Sequence, residues 1–338
     1  MTVTLKDIAR DCGCCWTTVS RVLNNRAGQF SEQTRRKVLA SAERLGYHRN
    51  TAARALRGMS TGRIGYIGSA PRQSALSIHL FRQLDDQVWR HGCRLLVAFN
   101  HEDPQREKAC LAGLRGDGID GLVLGPTGAS IAPELEQLLK DRMPLVTISS
   151  PLTLSTPDVC IDREHGGYLL AQHLVEIGCR RPALVLSAHG RATEQKCRGL
   201  RRGFAEAGVD LDAAPQHAFG SMLTSEAPAY GAEAVRALMH RGATFDCVVT
   251  VSDDVALGVM HALREAGRSV PEQVAVVGFS DEHFAPYAAV PLTTIHTPHE
   301  QIGQAVFDLL WAQVQGGGPS VVREGSGYRR VALKPWLV

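Results

Sequence analysis

No run of apolar residues in this 338-residue chain approaches the ~18 that a membrane-spanning helix needs, so a soluble globular protein is the expectation. Met1 to Arg10 carries a charge every few residues and no apolar stretch of the signal-peptide kind, so the chain is expected to stay in the cytoplasm. Signatures of catalysis are missing too: there is no GxxxxGK[ST], no HExxH and no GxSxG. The six residues Gly116 to Gly121 (GDGIDG) spell GxGxxG, but they follow a helix-like stretch and precede an apolar run. A dinucleotide site needs the reverse order. Asp85-Asp86 and Asp253-Asp254 are adjacent pairs that diverge on a helical turn and read as solvated faces. No histidines stand at i, i+4 to hold a metal, and neither metal nor cofactor is expected. An enzyme is therefore not the expectation. Nine cysteines, an odd number, spread from Cys12 to Cys247 without disulfide-framework spacing. They read as reduced thiols, and Cys12, Cys14 and Cys15 as small fillers lacking the second pair of a zinc site.

What is present is an uneven charge. Residues 1–60 hold 11 Lys/Arg against 4 Asp/Glu, while the whole chain nets only +3, so the remainder is mildly acidic. A compact basic segment on an acidic body is the footprint of a polyanion-binding module. With 44% apolar residues the chain can bury two or three cores.

Thr4 and Asp7 resemble a capping box before the stripe Leu5, Ile8, Ala9, and Gly13 ends that first helix. Thr17 to Asn24 places Val19, Val22 and Leu23 on one face, giving helix-turn-helix. Ser31 caps a third helix over Glu32–Leu45, with Val38, Leu39, Ala42 and Leu45 inward and Gly46 as its stop. Asn50 caps one more short helix, Thr51 to Arg57, before a Gly/Ser/Thr linker. From Arg63, strand-like runs (Ile64–Ile67, Arg94–Ala98, Gly121–Leu124, Leu145–Ile148, Ala183–Leu186, Cys247–Val251, Val274–Phe279) alternate with helix-like stretches. This alternation predicts parallel sheets, in number enough for two doubly wound lobes with a ligand cleft outside the strands' carboxyl ends.

An ordered set of motifs makes the likeness specific: Thr4 to Ala9 (TLKDIA), Thr18 to Asn24 (TVSRVLN), Ser31 to Leu39 (SEQTRRKVL), Leu45 to Tyr47 (LGY) and Asn50 to Leu56 (NTAARAL). With Asp103 to Glu107 (DPQRE), Ile119 to Gly121 (IDG), Ala256 to Gly258 (ALG), Val276 to Phe279 (VVGF) and Pro291 to Thr294 (PLTT), the chain resembles the lactose-repressor (LacI/GalR) transcription regulators along nearly its whole length. The resemblance implies an all-α head over 1–48, a hinge helix and linker over 49–62, and a two-lobed α/β sensor of the periplasmic-binding-protein type over 63–338. The first lobe would span about 63–160 with 296–320, and the second about 161–290 with 321–338. It further implies a homodimeric repressor of carbohydrate metabolism that binds a palindromic double-stranded operator and answers to a small-molecule effector. The alternatives are a solute-binding protein of the same fold, which would need a signal peptide and no basic head, or a DNA-binding protein with an unresponsive sensor.

By that resemblance Trp16, Thr17 and Arg21 face base edges, arginine being the side chain suited to bidentate guanine contact. Trp16 instead covers the small core if it turns inward. Thr18, Ser20, Asn24 and Thr34 face phosphates. Asn50 caps the hinge helix, Ala53 lies on it, and Leu56 is either a minor-groove wedge or an ordinary linker leucine. The head departs from the pattern at Cys14 and Cys15, where a small apolar residue and a capping serine are usual. Helix-cap strength then falls to Thr17 or Thr18.

The effector cleft implied by the resemblance is lined by Gln73, Ser77, His79, Ser149, Lys196, Ser252, Asp253, Ser280, Asp281 and Thr297. Two expected acids and one amide are serine in this chain, and Lys196 stands for an arginine that Arg198 would restore in another register. Fewer carboxylates beside a retained cation favour an anion such as a sugar acid or sugar phosphate. The opposing reading is a drifted pocket that binds weakly or not at all.

Overall fold

A reciprocal cap opens the amino-terminal unit, residues 1–61. In the computed structural model the Thr4 N–H and hydroxyl both donate to the Asp7 carboxylate, at 2.9 and 2.6 Å. The structure describes residues 3–23, 30–47, 60–68, 75–101, 103–152, 154–187, 191–219, 226–316 and 330–338, without the side chains of 75–79 and 129. Helix α1 (Leu5–Cys12) turns off at Gly13, whose φ of +67° suits a residue without Cβ. Helix α2 (Trp16–Leu23) begins one residue earlier than expected, and α3 (Glu32–Arg44) is capped by Ser31 Oγ accepting from Thr34 N at 3.2 Å.

Ile8, Val19, Val22 and Val38 are almost wholly buried and, with Leu23 and Ala42, form the head's small core. Leu39, expected inward, is 43% exposed. One residue past buried Val38 turns the side chain about 100° around the helix, so the two cannot share a face. Asp11 ties α1 to α3 by accepting from Ser41 Oγ and Arg44 Nη2.

The second unit, residues 62–338, holds two purely parallel sheets. The first lobe contains β1 (Arg63–Gly68), β2 (Arg94–Phe99), β3 (Gly121–Leu124), β4 (Leu145–Ile148), β5 (Asp158–Ile161) and β11 (Arg330–Leu333), in the order β11-β5-β4-β3-β1-β2. Helices α4 (Ala75–Arg90) and α11 (His299–Val314) cover one face, and α5 (Pro104–Gly116) and α6 (Ala132–Lys140) the other. The alternation of strand side chains explains both cores: Val123 belongs to one, its neighbours Leu122 and Leu124 to the other.

The second lobe is built the same way from β6 (Pro182–Ser187), β7 (Gln216–Phe219), β8 (Cys247–Thr250) and β9 (Ala275–Val277), in the order β7-β6-β8-β9. Helices α7 (Arg163–Glu176) and α8 (Arg191–Ala205) pack on Leu184 and Leu186, while α9 (Ala227–His240) and α10 (Asp253–Glu265) pack on Ala183 and Val185. All seven strand-like runs are strands, and β3 and β4 have the expected bounds. Strand β7 has no apolar run to announce it.

The tail divides between the lobes. Of 321–338, expected in the second lobe, Arg330–Leu333 instead extends the first sheet beside β5. Only then does β12 (Trp336–Leu337) pair antiparallel with β10 (Ile295–His296), with Leu337 against the second lobe's core. The four residues of β11 alternate in exposure, as befits an edge strand, and parallel pairing with β5 satisfies the backbone groups that face β5.

Helices α7 and α8 approach so closely that backbone meets backbone. A Cβ on Gly199 would lie 1.9 Å from the Glu164 carbonyl oxygen, and one on Gly167 would lie 2.2 Å from that of Lys196. Gly199→Ala is expected to cost about 3 kcal/mol, the top of the usual range for overpacking, because the obstacle is backbone rather than a movable side chain. Urea unfolding followed by circular dichroism measures it, and an unchanged midpoint would contradict the close packing.

Candidate functional site

Helix α2 points Val19, Val22 and Leu23 into the head, so Thr17, Ser20 and Arg21 fall on the other side, while Trp16 opens the helix in line with Val19 and Leu23. Trp16 is 59% exposed and stands outside the head's core, as do exposed Thr17 and Arg21. Thr18, Ser20 and Thr34 are half-buried, and the Thr34 hydroxyl sits 3.0 Å from Ser31 Oγ within the α3 cap. Asn24, Asn50, Ala53 and Leu56 lie outside the described residues.

The start of α2 carries a thiol as its cap. Cys15 Sγ receives the hydroxyls of Thr17 and Thr18, at 3.0 and 2.9 Å, while the Cys15 carbonyl accepts from Val19 N at 3.1 Å. These hydroxyls, with the backbone N–H groups of the same residues, stabilise the thiolate and bring Cys15 down to about 7. Thr17 and Thr18 thus do not replace the missing serine but supply protons to the sulfur that does.

In the second unit, the ends of β4, β5, β6, β8 and β9 are its carboxyl-end loops. Ser149 follows β4 with φ +52°, and its Oγ accepts from Arg163 Nη1 at 3.3 Å. Lys196 reaches from α8 to the end of β8, where Nζ donates to the Val251 carbonyl at 2.8 Å and rests 3.8 Å from the centre of the Phe279 ring. Arg198, the alternative register, points outward and pairs with Glu164 at 2.9 Å. Lys196 is therefore the inward cation.

The acids behave differently from their expected roles. Asp253 is fully buried and bonded within the lobe: Oδ1 accepts from Thr294 Oγ1 at 2.6 Å and Oδ2 from Glu282 N at 2.7 Å. Burial raises its pKa against those hydrogen bonds. Asp281, at φ +60°, holds His296 Nδ1 at 2.6 Å, and His296 stacks on Trp336 with ring centroids 4.0 Å apart. Ser252 precedes α10, Ser280 N donates to Ile295 O at 3.0 Å, and Thr297 is buried. Gln73 and the side chains of Ser77 and His79 lie outside the described residues.

Residue-by-residue reading missed Arg163 and Arg191. Both open helices on the second lobe, and both reach the Ser149–Ser150 turn of the first, where Arg191 Nη1 donates to the Ser150 carbonyl. Burial, and then the nearby Arg191 and Arg330, draw Arg163 below the usual arginine value. The available signal was position: Arg163 stands two residues after the carboxyl end of β5. Away from the cleft, Cys179, Asp246 and Cys247 gather at the amino end of β8, where the Asp246 carboxylate accepts from the backbone N–H groups of Arg180 and Arg181. No helix among the described residues is long and apolar enough to cross a membrane.

Burial brings Lys196 down to about 7, helped by Arg163 and opposed by Asp253. Between that value and the ~10.4 of an unfolded lysine, the folded chain binds fewer protons than the unfolded chain, so this group makes stability rise with pH across the window. Lys196→Met is expected to flatten that rise. Urea midpoints at several pH values test it, and a slope identical to that of the unmutated protein would contradict the burial of this charge.

Comparison with known proteins bears on this arrangement as a whole. Residues 4–50 match the model of bacterial regulatory proteins of the lacI family, and residues 171–324 match that of a periplasmic binding protein-like domain. The chain is similar to the HTH-type transcriptional repressor PurR of Vibrio campbellii, 27% identical with 92% of each covered. The lac repressor dimer bound to operator and the anti-inducer ONPF superposes with a TM-score of 0.83 at 23% identity, covering 100% of this chain and 98% of that one. The HTH-type transcriptional regulator DegA of Bacillus subtilis is 30% identical over 311 residues, 90% of this chain and 89% of DegA. On these findings the chain belongs to the lacI family of bacterial regulatory proteins, which are DNA-binding transcriptional regulators and not enzymes.

Proposed function

We propose that the chain is a dimeric repressor whose affinity for a palindromic operator is set by an anionic small molecule, such as a sugar acid or sugar phosphate, in the cleft of its sensor. The observation that carries this reading is the pairing of an exposed face on α2 with an inward lysine in the cleft. Trp16, Thr17 and Arg21 are outward, and Lys196 is held between Val251 O and Phe279. The head would be 1–48, the hinge 49–62 with Leu56 as its wedge, and the sensor 63–338.

Within the head, Arg10, Arg35 and Arg44 pair with Asp7, Glu32 and Asp11, so among its described residues Lys6, Arg21, Arg36 and Lys37 would supply charge for phosphates and bases. The cleft residues divide by role. Ser149, Lys196, Ser252 and Ser280, with Gln73, Ser77 and His79, would touch the effector. Asp253 would instead hold the loops after β9 in place through Glu282 and Thr294, with Asp281 and Thr297 at the crossover.

Two apolar surfaces fit a second copy of the chain, in keeping with its likeness to the lac repressor, which is a dimer when bound to operator. On the first lobe Trp89 is 76% exposed, with Val97 on edge strand β2 also bare. On the second, Leu257, Met260, Val270, Ala289 and Val290 line a groove of about 380 Å³ near exposed Tyr287. Two-fold pairing of heads matches the two half-sites of a palindrome.

Arg21→Ala is expected to relax base preference at one pair per half-site and to weaken operator binding by about 1–3 kcal/mol. Anisotropy on a library of half-site variants measures it, and unchanged preference would place Arg21 off the bases. The Cys15 thiol is expected to alkylate with a rate midpoint near pH 7 and to be shielded when operator is bound. Iodoacetamide labelling of the Cys15 peptide, read by mass spectrometry with and without operator, checks both. Equal labelling in the two states would move the DNA away from the start of α2.

A further inference from the structure

Three arginines from three elements meet at the Ser149–Ser150 turn that follows β4. Arg163 Nη1 donates to Ser149 Oγ at 3.3 Å, Arg330 Nη2 donates to the Ser150 carbonyl at 3.3 Å, and Arg191 Nη1 donates to that same carbonyl. Among the described residues only Arg330 of the three makes a direct ion pair, with Asp158 at 3.1 Å. Asp158 Oδ1 also accepts from Thr147 Oγ1 and Ser150 N, each at 2.9 Å, so this acid is bonded on both oxygens. Arg163 and Arg191 therefore meet a hydroxyl and a carbonyl rather than a carboxylate among the described residues.

Each guanidinium presents five N–H donors in a planar fork, and one donor of each is engaged in the bonds just described. Two such cations held near one another repel, and that repulsion adds to burial in drawing Arg163 below its usual value, against the opposing pull of Cys160 and Asp158. The arrangement is costly unless a ligand supplies negative charge. How much charge is the discriminating question. A carboxylate brings one charge and two oxygens, and Lys196 on the same lobe already suits it. A phosphate monoester brings nearly two charges at neutral pH and three strong acceptor oxygens, enough for two guanidinium forks at once.

We propose that Arg163 and Arg191 form the receptor for a phosphate monoester group, so that the effector is a phosphorylated small molecule and not a simple sugar acid. The proposal rests on the reading of this cleft as the effector site. Its neutral part would lie toward Lys196, Ser252 and Ser280 on the second lobe. The phosphate would then join residues that start α7 and α8 to the turn after β4 in the first lobe.

Isothermal titration of the full-length protein at neutral pH tests this, with inorganic phosphate, glucose 6-phosphate, gluconate and glucose as probes. Both phosphate probes are expected to bind, gluconate at least about tenfold more weakly, and glucose not at all. Arg163→Gln and Arg191→Gln are each expected to weaken phosphate about tenfold or more. If circular dichroism shows one variant misfolded, the other, on a separate helix, carries the comparison. No heat with phosphate, gluconate or glucose binding as well as glucose 6-phosphate, or phosphate binding that survives both substitutions would each overturn the proposal. Operator anisotropy with the same probes separates the two readings. Arginine-dependent phosphate binding that leaves operator affinity unmoved keeps the phosphate site and refutes its role as effector site.

Discussion

Parallel pairing is the constraint from which the sensor follows. A parallel neighbour cannot be reached by a tight hairpin, so most successive strands of the two main sheets are joined by helical crossovers, and helices cover both faces of both sheets. Because the strands of a lobe run the same way, their carboxyl-end loops collect at one edge. Ser149, Val251 and Phe279 thereby come from separate parts of the chain to edges that face Arg163 and Lys196. The close α7–α8 contact then fixes Lys196, since Gly167 packs on its carbonyl and Gly199 on that of Glu164.

Charge is treated in opposite ways in the two units. On the head, acids pair with basic side chains at the flanks, as Asp7 does with Arg10 and Glu32 with Arg35, and Arg21 is left exposed in high dielectric. Such a cation costs little to hold and attracts a polyanion from a distance. In the cleft, cations are partly stripped of water beside one another, and both Arg163 and Lys196 are pulled below their usual values, chiefly by burial. A charge kept there bonded to a hydroxyl or a carbonyl instead of a carboxylate is unfavourable in the empty protein, and that penalty is what an incoming anion relieves. The same logic explains Cys15: hydroxyl and N–H donors at the start of α2 favour the thiolate without burial.

Much of this was legible in the sequence, for reasons that can be assigned residue by residue. An apolar run between Asp120 and Gly125 marked β3, one between Pro144 and Ser149 marked β4, and a Thr-x-x-Asp spacing marked the start of α1. Leu39 was misplaced because apolarity alone does not say which of two adjacent helix residues faces inward. Strand β7, Gln216–Phe219, escaped because it is an edge strand with alternate residues exposed and only two apolar positions. Asp253 looked like a cleft carboxylate by motif, yet its partners Thr294 and Glu282 lie 41 and 29 positions away, a satisfaction no local pattern encodes. Arg163, Arg191 and Arg330 are unremarkable in sequence and acquire meaning only where the fold brings them to one turn.

The path of the tail decides how the two lobes can respond to a ligand. The chain passes between them between β5 and α7, again between β10 and α11, and finally between β11 and β12. The last passage is pinned at both ends. Arg330 binds Asp158 beside β11, while Val338 and Thr294 exchange N–H···O bonds at 2.9 Å beside β12. Three strands of covalent connection with fixed ends permit rotation of one lobe against the other about the crossovers but resist sliding or separation. A ligand shifts such an equilibrium only by the difference in its affinity for the two arrangements. The contacts that differ are those made across the cleft, and Arg163 to Ser149 and Arg191 to Ser150 are of that kind, since each joins a second-lobe helix to a first-lobe turn. An anion on those guanidiniums acts at the contacts whose length depends on lobe angle, whereas one held by Lys196 alone would touch only the second lobe and leave the angle unbiased.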